Sequence, residues 1–129
     1  MQSIAESVDS IRLVQPDARI VVAGDFNDEA LDASVQFLAG KGLADVPPIL
    51  DSTVLGTYRY KGHWQSIDHI LVSDGLRTKV DTCFIPYRSY MIEPDPTYGG
   101  VRPKRTYVGF KYAGVTSDHL PLLLRLKME

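Results

Sequence analysis

Three short apolar runs, each joined to an acid, do most to limit what this chain can fold into. "ARIVVAG" at 18–24 is rich in β-branched residues, closes on glycine and leads straight into Asp25. "SIDHILVS" embeds Asp68 and His69 in a second run, and "TSDHLPLLLRL" opens a third with Asp118 and His119. Short apolar runs bounded by turn residues predict strands, and the first, apolar at every position, predicts one buried on both faces. Side chains two apart on a strand share a face, so Asp25 and Asn27 can point together while Phe26 turns into packing.

The intervening segments alternate between helical and extended patterns. Ile4, Ala5, Val8 and Ile11 recur at helical spacing and predict a helix over 3–14 that stops before Pro16. Asp32 is an N-cap candidate for a short helix carrying Val35, Phe37 and Leu38 and ended by Gly40 and Gly42. "DVPPIL" reads as loop. Tyr58 and Tyr60 alternate into a turn near Gly62, after which Ile67, Ile70, Leu71 and Val72 resume a strand, so this stretch predicts two strands meeting at a turn. A further strand falls within 80–92, and "LPLLLRLKM" predicts a last one. Residues 93–116, dense in Gly and Pro, predict the longest irregular stretch, placed just ahead of "SDHLP". The pattern mixes α and β.

At 129 residues, with 44% hydrophobic and 23% charged residues, the chain is the size of one domain and has an ordinary globular composition. A net charge of −2 gives no global pull towards phosphate backbones, which excludes sequence-independent coating of DNA. The single cysteine, Cys83, has no internal disulfide partner and its apolar flank predicts a small buried hydrophobe. The N-terminal "MQSIAESVDSIRLV" has neither the basic leader and apolar run of a signal peptide nor a membrane anchor. As written the chain reads as cytoplasmic; a longer precursor carrying a signal peptide would place it in a secreted or periplasmic setting.

Taken singly, each acid is as well explained as a turn or capping residue. Taken together, carboxylates, an amide and a histidine at strand ends are what a hard divalent cation and a phosphate ester require, since oxygen ligands suit Mg²⁺ and an Asp–His pair supplies an oriented imidazole.

"GDFN" at 24–27, "IDHI" at 67–70 and "SDHLP" at 117–121, in this order, resemble the C-terminal half of the endonuclease/exonuclease/phosphatase superfamily. This is the deoxyribonuclease I-like fold of abasic-site endonucleases, sphingomyelinases and inositol polyphosphate phosphatases. The likeness covers nearly the whole chain, and "YGGVRPKRTYVGFKYAGVTSDHLP" resembles a bacterial subgroup. It implies an α/β (α+β) class: the C-terminal half of a four-layer αββα sandwich, with one mixed, mostly antiparallel sheet and helices on one face. Residues 1–129 would be a single partial domain.

By motif, the resemblance implies that Asp25 orients or deprotonates the attacking water and that Asn27 bonds a phosphate oxygen or that water. His119 would contact the scissile phosphate, Asp68 would hold its imidazole in place, and Asp118 would be a metal ligand, directly or through water. The cofactor implied is Mg²⁺, with Mn²⁺ as the substitute. His69 should project from the face opposite Asp68 as a packing or surface residue. Arg102, Lys104 and Arg105, interleaved with Tyr98 and Tyr107, are candidates to grip a second phosphate or a polar head group, against the plainer reading of a solvated loop.

In the superfamily, the N-terminal half supplies an Asn and a Glu that is the principal metal ligand. Glu6, Glu29, Glu93 and Glu129 lie in no matching context here, so that Glu ligand is absent from this sequence. The expectation is therefore the C-terminal portion of a Mg²⁺-dependent phosphodiesterase, phosphatase or nuclease acting by in-line water attack on phosphorus. The mild acidity favours a small phosphodiester, lipid head group or sugar phosphate over bulk DNA. The rival expectation is a catalytically incomplete fragment acting as a folding or association module. A half-sandwich leaves a sheet face uncovered, to be met by the missing N-terminal half or by self-association. A structural Ca²⁺ loop is the least supported, since no EF-hand spacing occurs.

Overall fold

The computed structural model describes residues 2–26, 33–104, 107–108, 111–112 and 117–128. Helix α1 (Gln2–Val14) follows the predicted stripe: Ala5 and Val8 are buried, while Leu13 and Val14 at its end are 86% and 89% exposed, beyond the reach of the core. Strand β1 (Val21–Asp25) and helix α2 (Ala33–Ala39) come next, and Asp32, the expected cap of α2, lies outside the described residues. Gly42, at φ 77, then lets the chain turn into β2 (Leu43–Asp45), a short strand that the sequence pattern did not predict.

Between Tyr58 and Ser73 the chain forms three strands where two were expected: β3 (Tyr58–Tyr60), β4 (His63–Gln65) and β5 (Asp68–Ser73). The β3–β4 turn has two residues with positive φ, Lys61 at 49 and Gly62 at 80, the backbone that a two-residue type I′ hairpin demands. Ser66 and Ile67 then separate β4 from β5, which joins a different sheet.

The principal sheet runs β1-β5-β2, antiparallel throughout. Every residue of β5 after Asp68 is buried, as befits a central strand. Ser73 extends the ladder by one step: its N–H donates to the Ile20 carbonyl and its hydroxyl oxygen accepts the Ile20 N–H, both at 2.9 Å. One face of the sheet packs under the helices, with Ala5, Val8, Val35, Leu38, Leu43 and Leu71 in one core to which Val22 and Phe26 add. The expectation that β1 is buried on both faces is wrong. Among the described residues it pairs with β5 alone, and Val21, Ala23 and Asp25, which share one face, are exposed because no described element covers that face of β1, while Val22 on the other face packs against the core.

The short helix α3 (Asp74–Arg77) leads to β6 (Val80–Phe84), which pairs with the last strand, β11 (Leu123–Leu126). Cys83 is buried there as expected, and burial pushes its thiol pKa up. The Gly/Pro-rich stretch is more ordered than expected. It contains the hairpin of β7 (Ile92–Pro94) and β8 (Val101–Pro103) and the short pair β9 (Tyr107–Val108) and β10 (Lys111–Tyr112). The β7–β8 turn is built by Asp95, whose carboxylate accepts the N–H groups of Thr97 and Tyr98, each at 3.0 Å, while Gly99 and Gly100 supply positive φ. Val54, Ile85 and Leu120 form a second core with Trp64, Tyr87 and Val101 around it.

The result is an α+β fold whose named strands pair antiparallel, in one three-stranded sheet and four two-stranded ladders. Among the described residues, no helix is long and apolar enough to cross a membrane.

Candidate active site

The β1–β5 register sets Asp25 directly opposite Asp68, at the end of the ladder where Phe26 N–H still bonds the Ile67 carbonyl at 2.9 Å. Cross-strand partners share a face, and like charges in that position repel. A chain that puts two carboxylates there needs a positive or hydrogen-bonding group between them. His119 supplies it: its Nδ1 lies 2.8 Å from Asp68 Oδ2, and its Nε2 lies 4.0 Å from Asp25 Oδ2. An ionised carboxylate can only accept, so Nδ1 carries the hydrogen and Nε2 is the edge left for other chemistry. The Asp25 side chain is half exposed, while those of Asp68 and His119 are mostly covered.

Gly24 stands just before Asp25 at φ 155, a backbone that side-chain-bearing residues rarely adopt, although a Cβ there would touch nothing. Glycine at this position is thus required by conformation rather than by space.

His119 is held from three further directions. Its own N–H bonds the Ser117 hydroxyl at 3.0 Å, the N–H of Leu120 donates to the Thr57 carbonyl at 2.7 Å, and the Tyr58 ring stacks on the imidazole with centroids 4.8 Å apart. Neither Tyr58 nor Thr57 was singled out from sequence. The alternation of "TYRY" marked a strand, but only the tertiary path brings it against "SDHLP".

His69 takes the opposite face, as alternation predicted: it is 4% exposed, lies 3.2 Å from Asp45 Oδ1 and meets the Phe26 ring at 5.5 Å. It is a packing residue on the helix side of the sheet.

Tyr58, which stacks on His119, also lines a cleft of about 740 Å³ with Tyr60, Tyr98, Arg102 and Asp118 among others; Asp25, Asp68 and His119 do not line it. Asp118 lines this cleft, whereas Asp68 borders a second pocket of about 220 Å³ with Gly24 and Leu120, and Asp118 is not one of the residues clustered with Asp25 and His119. Arg102 reaches the cleft too, but its guanidinium pairs with Glu93 at 3.2 Å, so its charge is largely spent within the hairpin. Lys104 donates its backbone N–H to the Met91 carbonyl, Asn27 and Arg105 lie outside the described residues, and Tyr107 is placed only as part of β9.

Among the described residues, one group of three or more metal-ligating side chains clusters closely: Asp25, Asp68 and His119, with ligand atoms within 4.8 Å of one another. Oxygen donors of this kind fit a hard divalent cation, which is satisfied by one or two carboxylates plus waters and phosphate oxygens. No glutamate belongs to the group.

An antiparallel α+β frame thus gathers two carboxylates and an imidazole at the end of one strand ladder. The chain belongs to the endonuclease/exonuclease/phosphatase family, whose family model matches residues 2–128. Members of this family are in general hydrolases of phosphoesters. No curated protein and no solved structure gives a significant match.

Proposed function

We propose that this chain carries the water-activating face of a Mg²⁺-dependent phosphoester hydrolase that acts by in-line attack of water on phosphorus. The observation that carries the reading is the Asp25–Asp68 pair, opposed across the ladder and bridged by His119. Asp25, the more exposed carboxylate, orients the water and accepts its proton. His119, with hydrogens on both ring nitrogens, donates Nε2–H to a phosphate oxygen while its Nδ1–H is held by Asp68. Asn27 adds a hydrogen bond to phosphate or water. Asp25, of the clustered group, would hold Mg²⁺, or Mn²⁺ in its place, with Asp118 reaching the ion directly or through water; when bound, the ion would neutralise charge on the phosphate oxygens. The Glu that completes the metal site would come from an N-terminal half of the domain, packed against the uncovered sheet face.

The substrate class best supported is a small phosphodiester, lipid head group or sugar phosphate. Of the described cations that line the cleft, Arg59 pairs with Asp95 and Arg102 with Glu93 while Lys61 lies over the Tyr60 ring, a set that suits one phosphate better than a nucleic-acid backbone. The test is Mg²⁺-dependent hydrolysis of bis-p-nitrophenyl phosphate by the full-length protein and its His119→Ala variant. A fall of roughly a hundredfold or more is expected from loss of a positioned acid–base group. Equal rates would remove His119 from the chemistry.

A second reading, association without catalysis, draws on the exposed edge strand β1 with Val21 about half exposed. It predicts a stable oligomer in size-exclusion chromatography with light scattering, and a monomer at micromolar concentration counts against it.

A further inference from the structure

We infer that Tyr58 is a positioning residue for His119, fixing the plane of the imidazole that Asp68 holds only at one edge. The covalent link at Cγ and a single 2.8 Å hydrogen bond from Nδ1 to Asp68 hold one edge of a flat ring and leave its plane free to tilt about that edge. A face contact removes that freedom. Tyr58 provides one: its ring lies 4.8 Å from the imidazole centroid with an angle of 30° between the planes.

The stack is clamped at its base. The residue before Tyr58 and the residue after His119 are joined by the 2.7 Å bond from Leu120 N–H to the Thr57 carbonyl, and Thr57 N–H in turn bonds the Gln65 carbonyl at 3.1 Å. Gly56 fits against Gln65 so closely that a Cβ would come within 2.7 Å of its carbonyl oxygen. The β3–β4 hairpin is thus tied to the His119 segment by backbone, so the Tyr58 Cα is held in place beside the imidazole. With one face of His119 covered and Nδ1 engaged, Nε2 is left directed towards Asp25, 4.0 Å away.

The consequence for turnover rests on the phosphoester hydrolase reading; the geometry of the imidazole does not. The test therefore has two arms in the full-length protein: NMR of the His119 ring protons, and kcat and KM on bis-p-nitrophenyl phosphate. In the wild type, Tyr58-to-His119 ring NOEs and an upfield ring-current displacement are expected. Tyr58→Phe should keep both, with kcat within about twofold. Tyr58→Leu should lose the displacement and lower kcat about tenfold with KM little changed, as expected for a misplaced reacting group. Absence of the NOEs and displacement in the wild type overturns the inference whether or not the leucine variant folds. So does a folded leucine variant that keeps its wild-type kcat while His119→Ala loses activity. If His119→Ala also keeps wild-type turnover, the hydrolase reading fails, and the NMR arm alone decides whether Tyr58 fixes the ring.

Discussion

Around β5 the molecule is held by apolar burial: Leu38, Leu43 and Leu71 have no exposed surface, and two helices close over them. Around the β3–β4 and β7–β8 hairpins a smaller apolar core, Val54, Ile85 and Leu120, is supplemented by polar ties. Arg59 donates to the carbonyls of Gly62, Gly99 and Val101, pairs with Asp95 at 3.4 Å and lies over the Trp64 ring, so that one side chain clasps both hairpin turns. Asp51 accepts from the Tyr87 hydroxyl at 2.6 Å and from the N–H groups of Thr53 and Val54. The candidate site lies across the seam, with Asp25 and Asp68 on the sheet and His119 held by both regions. The sheet makes the carboxylates rigid, while the hairpin side sets the imidazole, so the two regions should fail in different ways.

Leu71→Ala tests the sheet side. Removing a fully buried leucine from the centre of the core should cost about 3 kcal/mol in denaturant unfolding, with turnover per folded molecule little changed. Arg59→Ala tests the other side. Losing its hydrogen bonds should cost about 2 kcal/mol, but turnover should fall further than stability explains, because the hairpin that carries Tyr58 is released. If Arg59→Ala leaves turnover per folded molecule unchanged while Leu71→Ala abolishes it, the comparison is inverted.

Acid should separate the regions more gently. Hydrogen bonds from Tyr98 and Thr97 N–H groups, with Arg59 nearby, hold the Asp95 carboxyl below the usual carboxylate range against the opposing effect of burial. The Tyr87 hydroxyl and the N–H groups of Val54 and Thr53 do the same for Asp51. A carboxyl depressed in the folded state contributes stability that is complete above its unfolded pKa, about 3.9, and is lost as pH falls through the folded value. Amide exchange followed by NMR should therefore show the Tyr98 and Val54 amides losing protection below about pH 4, ahead of the β5 amides. Simultaneous loss across both regions would show one cooperative unit instead.

The sheet side was the more legible in sequence for a physical reason. Local periodicity reports burial, so α1, α2 and β5 could be read from spacing, and alternation put Asp68 and His69 on opposite faces. The three acidic motifs placed Asp25 and Asp68 at strand ends, as the structure has them, but His119 at the opening of a strand, whereas β11 begins only at Leu123 and His119 reaches the other two from the segment ahead of it. What spacing could not convey was pairing. The edge position of β1 depends on which strands are its neighbours, and the β7–β8 hairpin hides in a Gly/Pro-rich stretch because its turn is specified by Asp95 rather than by an apolar pattern. The Tyr58 stack and the Arg59 clasp join residues about 60 and 40 apart, and nothing local marks them.

The central claim is that the opposed carboxylates and the histidine between them act as one hydrolytic unit. Mg²⁺-dependent turnover of bis-p-nitrophenyl phosphate by the Asp68→Asn variant of the full-length protein tests it most directly, since the change keeps shape and removes the charge that orients His119. A fall of about a hundredfold or more with unchanged unfolding stability is the predicted result. A variant that is equally stable and turns over at the wild-type rate would contradict it.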